Sequence, residues 1–311
     1  MPPELLAGIE RELAHVDRTG LGRAATQISS DYKDGRFRGS LDSPESQAAY
    51  LLTRLPATFA ANLRVFQEMK RIAPDLSPNS LLDLGAGPGT AMWAAREVWL
   101  GIAQSTLMES NEPLLRLGER LASGLPAEWK RAGLEGADFP EHDLVVLSYV
   151  LGELKSPLEI AERAWRAAQI ALVIVEPGTP KNFARVAEVR RRLIELGGHP
   201  MAPCPHTHEC PMAAAGDWCH FAVRVERTSE HRRLKGGALG YEDEKFSYLA
   251  FSKQPAPHAQ ARIVRHPEIH SGHIRLTLCT PQGIQSPTVT KSNKAAFRTA
   301  RKAAWGDAWN D

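Results

Sequence analysis

Apolar residues recur at helical spacing through the first 75 residues of the chain. Leu5, Ile9 and Leu13 lie four residues apart, which places them on one face of a helix. A second run with the same spacing consists of Tyr50, Leu51, Leu55, Phe59, Leu63 and Phe66. The glycines Gly35 and Gly39 separate the two runs. The pattern predicts an N-terminal helical region over residues 1–75.

From residue 80 onward, short apolar runs alternate with amphipathic helical patterns. The runs 144–147 and 172–175 are continuous and apolar, which is typical of parallel strands that are buried on both faces. The predicted strands are Ser80–Leu84, Ser105–Glu109, Leu144–Ser148 and Ile170–Glu176, and the predicted helices include Thr90–Leu100 and Pro180–Leu196. Such an alternation predicts a doubly wound, Rossmann-like α/β sheet.

Residues 199–221 interrupt this alternation. They contain three cysteines and four histidines among several prolines, which predicts a loop without regular elements. Strand patterns return at Phe246–Phe251, Arg262–Arg265 and His273–Cys279, and a helix is predicted at Lys291–Ala304. We therefore expect three parts: the helical region 1–75, an α/β domain over 76–255 that includes the loop, and a small β-rich part over 256–311.

Composition predicts the cellular location of the protein and the redox state of its cysteines. No apolar run approaches the ~20 residues of a membrane helix, so we expect no membrane association. The first 18 residues carry Glu10, Arg11 and Glu12 and lack the apolar core of a signal peptide. We therefore expect a cytosolic monomer. In the cytosol the four cysteines would be reduced thiols, which favours metal binding or catalysis over disulfides.

The sharpest motif is the stretch Leu81–Thr90, LLDLGAGPGT, in which an apolar strand runs into glycines and then into a helix. Glycines allow a tight turn and a close approach of the backbone to a ligand. A dinucleotide loop reads G-x-G-x-x-G, whereas Gly85, Gly87 and Gly89 form G-x-G-x-G, with Asp83 two residues before the first glycine. This form resembles the first motif of class I S-adenosylmethionine (SAM) methyltransferases.

An acidic residue at the end of the next predicted strand supports the same ligand. Glu109 lies twenty residues after Gly89, where a carboxylate can accept both hydroxyls of a ribose. The predicted SAM-binding residues are Asp83, Gly85, Ala86, Gly87, Gly89, Glu109, Asp138 and Ser148. Asp138 is a candidate for the adenine end, because it shortly precedes the fourth predicted strand. The alternative is a tight strand–helix turn that binds no ligand.

The segment Asp143–Leu154, DLVVLSYVLGEL, resembles the motif that follows the fourth strand of the same fold. Ser148 and Tyr149 would lie at the carboxyl end of this strand, where ligands bind in open α/β sheets. The segment lacks the Asn/Asp-Pro-Pro-aromatic motif of amino-group methyltransferases and the nucleophilic cysteine of cytosine-C5 enzymes. The catalytic residues are therefore not assigned, and methyltransferase activity is left open.

The four cysteines could together form the ligand set of a metal site. Cys204, Cys210 and Cys219 lie within sixteen residues, and Cys279 follows sixty residues later. Four thiolates can hold a zinc ion or a cubane iron–sulfur cluster. No C-x-x-C pair of the zinc-ribbon type is present, so the spacing does not choose between them. The alternative is a set of unrelated buried thiols.

The motifs together resemble the methyltransferase-like assembly proteins of the small ribosomal subunit, a family known from mitochondria with bacterial relatives. The matching stretches include AYLLTRLPAT at 49–58, SYVLGEL at 148–154, WCHF at 218–221, GYEDEKFSY at 240–248 and LCTP at 278–281. This resemblance implies a 4Fe–4S cluster on the four cysteines, with zinc as the alternative. It also implies binding to small-subunit rRNA in ribosome assembly, with RNA methylation as an accompanying possibility. Because the chain starts without a mitochondrial-type presequence, we expect a bacterial member.

The basic C-terminal residues are candidates for the RNA contact. Lys and Arg outnumber Asp and Glu from residue 253 onward, although the net charge of the chain is only +2. The candidates are Lys291, Lys294, Arg298, Arg301 and Lys302. In a continuous helix these five side chains fall within ~100° of one face. A basic stripe of this kind can follow an RNA backbone, and the alternative is a solvated helix face.

Overall fold

The computed structural model describes residues 1–14, 16–17, 20–34, 41–235 and 239–310. The predicted glycine break at Gly35 and Gly39 lies outside these ranges. The N-terminal helices are α1 (Pro3–Leu13), α2 (Leu21–Asp34), α3 (Pro44–Thr53) and α4 (Leu55–Ile72). Helix α3 begins with a capping box, in which the Ser43 hydroxyl accepts the Ser46 N–H and the Ser46 hydroxyl accepts the Ser43 N–H.

A large mixed sheet follows, as the alternating pattern predicts. Its strands are β1 (Ser80–Leu84), β2 (Gln104–Glu109), β3 (Ala127–Arg131), β4 (His142–Ser148), β5 (Ala168–Pro177), β6 (His199–Ala202), β7 (Phe221–Glu226) and β8 (Tyr241–Ser252). The order is β3-β2-β1-β4-β5-β8-β6, and β7 also pairs with β8. The first five strands are parallel and β8 runs antiparallel to β5. The strand order reverses between β1 and β4.

Helices cover both faces of this sheet, which explains the continuous apolar runs of its central strands. They are α5 (Thr90–Val98), α6 (Glu112–Leu121), α7 (Pro157–Ala167) and α8 (Pro180–Glu195). Successive residues of β4 alternate between two cores: Leu144 and Val146 pack with α4 and α5, whereas Val145 and Leu147 pack with α7 and α8. The doubly wound fold class is confirmed.

The sequence pattern did not reveal β3 or the elements within 199–221. Strand β3 is a half-buried edge strand of sequence AEWKR, so its apolar signal is weak. The prediction of an element-free loop at 199–221 is wrong, because β6 and the short helix α9 (Pro211–Ala214) lie within it. Strand β6 pairs with β8, whose residues lie about fifty positions later, and local patterns do not report such a partner.

The C-terminal part forms two small sheets. Their strands are β9 (Ala261–Ile263), β10 (Glu268–Ile269), β11 (His273–Arg275), β12 (Leu278–Thr280), β13 (Gly283–Gln285), β14 (Thr288–Thr290) and β15 (Ala308–Trp309). The predicted strand His273–Cys279 is divided, because β11 belongs to the sheet β10-β11-β14 and β12 to the sheet β13-β12-β9-β15. Helix α10 (Ser229–Lys235) precedes β8. In the described ranges, no helix combines the length and apolar character needed to cross a membrane.

Candidate functional site

A polar cleft of about 380 Å³ lies at the carboxyl ends of β1, β2 and β4, where the strand order reverses. Open α/β sheets bind ligands at this position. Hereafter the cleft means the space lined by Tyr50, Arg54, Thr58, Asp83, Gly85, Ala86, Gly87, Thr90, Ala91, Glu109, Ser110, Asn111, Leu114, Ala132, Gly133, Leu134, Glu135, Ser148, Tyr149, Val150, Glu153 and Leu154. The fold therefore brings the glycine motif, Glu109 and Ser148 together.

The glycine loop requires glycine for two different reasons. Gly85, Gly87 and Gly89 all have φ between 54° and 81°, a left-handed conformation that side chains disfavour. A Cβ on Gly85 would also meet a methyl of Val150 at 2.4 Å, so the loop packs directly on the segment after β4. At Gly87 the nearest atom to such a Cβ is the Tyr50 hydroxyl at 3.8 Å. Gly87 thus leaves space that faces the cleft.

Two buried carboxylates line the cleft. Neither oxygen of Asp83 has a hydrogen-bond partner of ordinary geometry among the described residues, and burial raises the pKa of this group to about 7. Glu109 accepts the N–H of Gly87 at 2.8 Å and that of Asn111 at 2.7 Å. Burial raises the pKa of Glu109, and these two N–H groups offset part of the increase. Asp83 therefore faces the cleft with its charge uncompensated, whereas Glu109 is held by backbone donors.

The N-terminal helices form one wall of the cleft. The sequence motifs do not indicate that these helices contribute to a site. Arg54, at the junction of α3 and α4, pairs with Glu244 of β8, at 3.2 Å between Nη2 and Oε1. The Tyr149 hydroxyl donates to the same Glu244 oxygen at 3.0 Å. Tyr149 has φ of 58°, a strained conformation for a residue other than glycine. The only sequence signal was that 49–58 and 240–248 both carried the family resemblance.

A third buried carboxylate holds the segment after β4. Glu176, at the end of β5, accepts the N–H groups of Val150 and Leu151 at 2.9 and 2.8 Å. Burial raises the pKa of Glu176 to about 7. Ser148 accepts a hydrogen bond from Asn62 Nδ2 at 2.8 Å. These contacts fix the backbone that faces Gly85 before any ligand binds.

Gly89 does not line the cleft, because it packs close to Leu107 and Trp129, and Asp138 does not line it either. The Asp138 side chain is exposed and does not line the cleft, although the preceding loop residues Ala132–Glu135 do. The loop is instead held by Arg163, which donates to the carbonyls of Leu134, Glu135 and Ala137. Backbone groups of 132–135 are therefore better candidates than Asp138 for contacts with the adenine end of the predicted ligand.

A second cavity contains all four cysteines. Hereafter the cysteine cavity means the space lined by Phe183, Val186, Ala187, Arg190, Pro203, Cys204, Pro205, His206, Cys210, Pro211, Met212, Cys219, Phe221, Ser247, Tyr248, Leu249, Arg262, Val264 and Cys279. The segment between β6 and β7 thus meets β12 of a separate sheet. Tertiary structure brings Cys279 to the other three thiols across sixty residues of sequence.

The thiols of the cysteine cavity are close enough to disfavour one another's ionisation. Burial raises the pKa of Cys279 to about 12 and that of Cys219 well above its usual range, and the neighbouring thiols add to both shifts. Within the described residues, no group of three or more Cys, His, Asp or Glu side chains is placed to hold a single metal ion. His206 Nε2 lies 3.6 Å from the Cys279 sulfur. The metal assignment of the four cysteines stays a prediction.

The basic C-terminal residues do not form one continuous helical stripe. Helix α11 spans only Lys294–Ala300, capped by the Asn293 side chain, so Lys291 precedes it and Lys302 follows it. The predicted helix Lys291–Ala304 was too long because Ser292 and Asn293 form the turn and cap after β14. All five basic side chains are exposed, and none forms an ion pair with a described residue.

Comparisons with known proteins identify relatives of this chain. It is 28% identical over 284 residues to the mitochondrial ribosome assembly protein METTL17 of Homo sapiens, covering 83% of this chain and 61% of that protein. It is 21% identical over 448 residues to the mitochondrial ribosome assembly protein RSM22 of Saccharomyces cerevisiae, covering 93% and 71%. The chain thus spans less than two thirds of the length of the human relative.

Among solved structures, the SAM-dependent methyltransferase from Aquifex aeolicus is similar, with 15% identity and a TM-score of 0.42. The match covers 67% of this chain and 97% of that one.

The relatives contradict the cytosolic location expected from the sequence. METTL17, RSM22 and the Rsm22-cox11 tandem proteins of Schizosaccharomyces pombe are all mitochondrial proteins. The cytosolic expectation rested on the composition of the first 18 residues. Cellular addresses are read by receptors and are not encoded in the packing of a domain, so the described fold could not have corrected it.

The resemblance to ribosome assembly proteins is confirmed at the level of the family. The model of the mitochondrial small ribosomal subunit Rsm22 family matches residues 44–310, which include the glycine loop, the four cysteines and the basic helix. Because this match covers most of the chain, the chain belongs to the Rsm22 family.

Proposed function

We propose that this chain binds SAM in the cleft and acts in the assembly of the small subunit of a mitochondrial ribosome. The observation that carries the SAM proposal is the buried Asp83 carboxylate, which lines the cleft without a partner of ordinary hydrogen-bond geometry among the described residues. A buried charge is stable only when it is paired or hydrogen-bonded. The cationic ammonium and sulfonium of SAM supply the missing charge.

The other side chains suit the rest of the molecule. The carboxylate of Glu109 would receive the ribose hydroxyls, and the space beside Gly87 lets the ligand approach the backbone. Val150, whose N–H is held by Glu176, would form the side of the cleft that faces the adenine. When bound, SAM supplies an electrophilic methyl group.

Calorimetry tests this assignment. We expect the full chain to bind SAM and S-adenosylhomocysteine more tightly than NAD, because G-x-G-x-G with Asp83 leaves no dinucleotide loop. Glu109→Ala should weaken SAM binding by about 10-fold or more, since a hydrogen-bonded charge is lost. Glu97→Ala, an exposed glutamate on α5, is the matched control. Tighter binding of NAD, or full SAM affinity in Glu109→Ala, would contradict the proposal.

For the cysteine cavity we propose a 4Fe–4S cluster on Cys204, Cys210, Cys219 and Cys279. The support is a donor set of four thiols that line one cavity. A single zinc ion requires sulfurs about 2.3 Å from one centre, whereas a cubane is a larger body. Anaerobically purified protein should contain iron and acid-labile sulfide. A colourless protein with one equivalent of zinc would select the alternative.

The proposed partner is small-subunit rRNA. The support is membership of the Rsm22 family together with exposed basic side chains around α11 that have no ion-pair partner in the described residues. Replacing Lys294 and Arg298 by Ala should reduce the slope of log affinity against log salt by about 2, one unit for each phosphate contact. Lys181→Ala with Arg191→Ala, on the distant helix α8, should leave the slope unchanged.

A second candidate function is RNA methylation from the same SAM. The observation in its favour is that Ser148 and Tyr149 lie at the end of β4, beside the glycine loop. Methyl transfer depends mainly on positioning, so the lack of an assigned base does not exclude it. An assembly factor that keeps SAM as a structural ligand is the competing interpretation.

Three strains separate these functions: a deletion, Gly87→Arg and Cys210→Ser. Loss of one rRNA methyl mark in the Gly87→Arg strain, restored by the wild-type protein with SAM, would establish the enzyme. Unchanged methylation with stalled small subunits would establish the assembly factor. Unchanged methylation and unchanged subunits in all three strains would contradict the ribosomal function.

A further inference from the structure

One arginine lies buried among the four cysteines. Arg190 of α8 is 4% exposed and lines the cysteine cavity. Its Nε donates to the Cys204 sulfur at 3.1 Å, and its two terminal nitrogens donate to the carbonyls of His208 and His206 at 2.9 and 2.7 Å. In the described part of the chain, no carboxylate forms an ion pair with Arg190.

Neighbouring arginines differ from Arg190 in this respect. Arg262 lines the same cavity, but its charge is matched by the buried carboxylate of Glu68, and it also donates to the Pro203 carbonyl. Arg191 and Arg192, the next residues on α8, both pair with Glu195. A carboxylate is therefore available on the same helix, yet Arg190 points its guanidinium at a thiol.

A guanidinium remains charged at any physiological pH, and its burial without an anion is strongly unfavourable. Neutral thiols and two carbonyls supply dipoles but no counter-charge. Four thiolates that ligate a metal cluster carry a net negative charge. The contact between Nε and the Cys204 sulfur would then become a charge-assisted hydrogen bond.

We propose that Arg190 is the charge partner of the metal–thiolate group, acting on the ligand sulfur of Cys204. This inference rests on the proposed cluster. A positive charge and an N–H···S hydrogen bond stabilise the more negative, reduced state of a cluster, so Arg190 raises its reduction potential. By tying the carbonyls of His206 and His208 to α8, Arg190 also holds the chain between Cys204 and Cys210 around the cluster.

The test compares the anaerobically purified full chain with Arg190→Met, Arg190→Lys and Arg191→Met. Iron and sulfide content, the midpoint potential from a redox titration, and the rate of cluster loss in air are measured for each. We expect Arg190→Met to shift the potential to a more negative value and to lose its cluster ~10-fold faster. Arg190→Lys keeps the charge, so its potential should stay near that of the wild type while its cluster is lost faster. Arg191→Met, an exposed change on the same helix, should behave as the wild type.

The outcomes separate this inference from the proposed cluster. A wild-type protein that contains zinc, or no iron and sulfide, would overturn the cluster and the inference together. A wild-type protein with a cluster whose potential and loss rate are unchanged in Arg190→Met would overturn the inference alone. If Arg190→Met does not fold by circular dichroism, Arg190→Lys decides: faster cluster loss supports the inference, and a wild-type rate overturns it.

Discussion

The cleft and the cysteine cavity lie in one chain but are stabilised in different ways. In the cleft, Glu109 and Glu176 already accept backbone N–H groups, and the sheet beneath them is paired strand to strand. The cysteine cavity joins the large sheet to the sheet that contains β12, and no backbone pairing connects the two sheets in the described residues. Around the thiols lies a small apolar cluster of Phe183, Met212 and Val264.

This difference predicts that the cysteine cavity, with its proposed cluster, depends on its ligand for folding more than the cleft does. The cleft exists because the central strands and α4 pack together, and SAM would find most of it formed. The C-terminal part has a small core of its own around Ile263, Ile274 and Leu276, and the buried Arg262–Glu68 ion pair ties it to α4. Metal ligation can supply much of the folding free energy of such a region. The following predictions test that asymmetry, from the largest expected effect to the smallest.

Loss of the metal should affect the C-terminal part and leave the cleft intact. We expect Cys219→Ser to lose the cluster and about 4 kcal/mol or more of stability, because a four-ligand site is broken. Hydrogen exchange should increase over 261–310, while SAM affinity stays within about twofold, because the cleft and the cysteine cavity share no lining residue. Met212→Leu, which lines the same cavity, is the control. Equal exchange in Cys219→Ser and Met212→Leu would show that the cavity does not need its ligand.

The Asp83 carboxylate should make the cleft sensitive to pH. Its pKa is about 7 in the folded chain against about 4 when unfolded, so between these values the folded state holds a proton that the unfolded state has released. Stability therefore falls as the pH rises through this window. Asp83→Asn should remove that fall, which is on the order of 4 kcal/mol at most, as measured by denaturant titrations between pH 4 and pH 8.

The exposed Asp138→Asn serves as the control for this change. Glu176, whose pKa is also raised to about 7, contributes the same slope in both variants. The Asp83→Asn chain should in addition bind SAM more weakly at pH 8, because the cationic end of the ligand loses its counter-charge. A pH profile identical to that of the wild type would show that Asp83 is not the uncompensated group.

Gly87→Arg should close the cleft without unfolding the chain. The position is open except for the Tyr50 hydroxyl, so the side chain projects into the space for the ligand, and SAM affinity should fall about 100-fold or more. Gly124→Arg is the matched control, because Gly124 also has a positive φ and nothing within 4 Å of an added Cβ. If both variants lose SAM equally, general backbone strain rather than filling of the cleft is responsible.

Two helix caps provide the smallest and most discriminating change. Asn111 caps α6 beside the cleft and Asn293 caps α11 in the C-terminal part, each by accepting a backbone N–H. Each change to Ala should cost about 1 kcal/mol in the metal-loaded protein. After removal of the metal by a chelator, Asn111→Ala should keep its cost, whereas Asn293→Ala should have none. Equal costs in both states would mean that α11 remains folded without metal.

Local sequence determined much of this protein. The run Leu81–Thr90 specifies strand, turn and helix by its own apolar spacing and glycines, and β4 and β5 follow from their continuous apolar runs. The four cysteines were predicted as metal ligands from their residue type alone. These features were readable because hydrogen bonding and burial within one element depend on neighbours a few residues away.

Tertiary structure alone decided which distant residues share a site. Arg54 and Glu244 meet across 190 positions beside Tyr149, and Arg190 turns toward Cys204 rather than toward the carboxylates of its own helix. Strands β6 and β15 likewise depend on partners about fifty positions away in the chain. Such contacts arise from the packing of whole faces, and no spacing rule within a segment encodes which face will meet which.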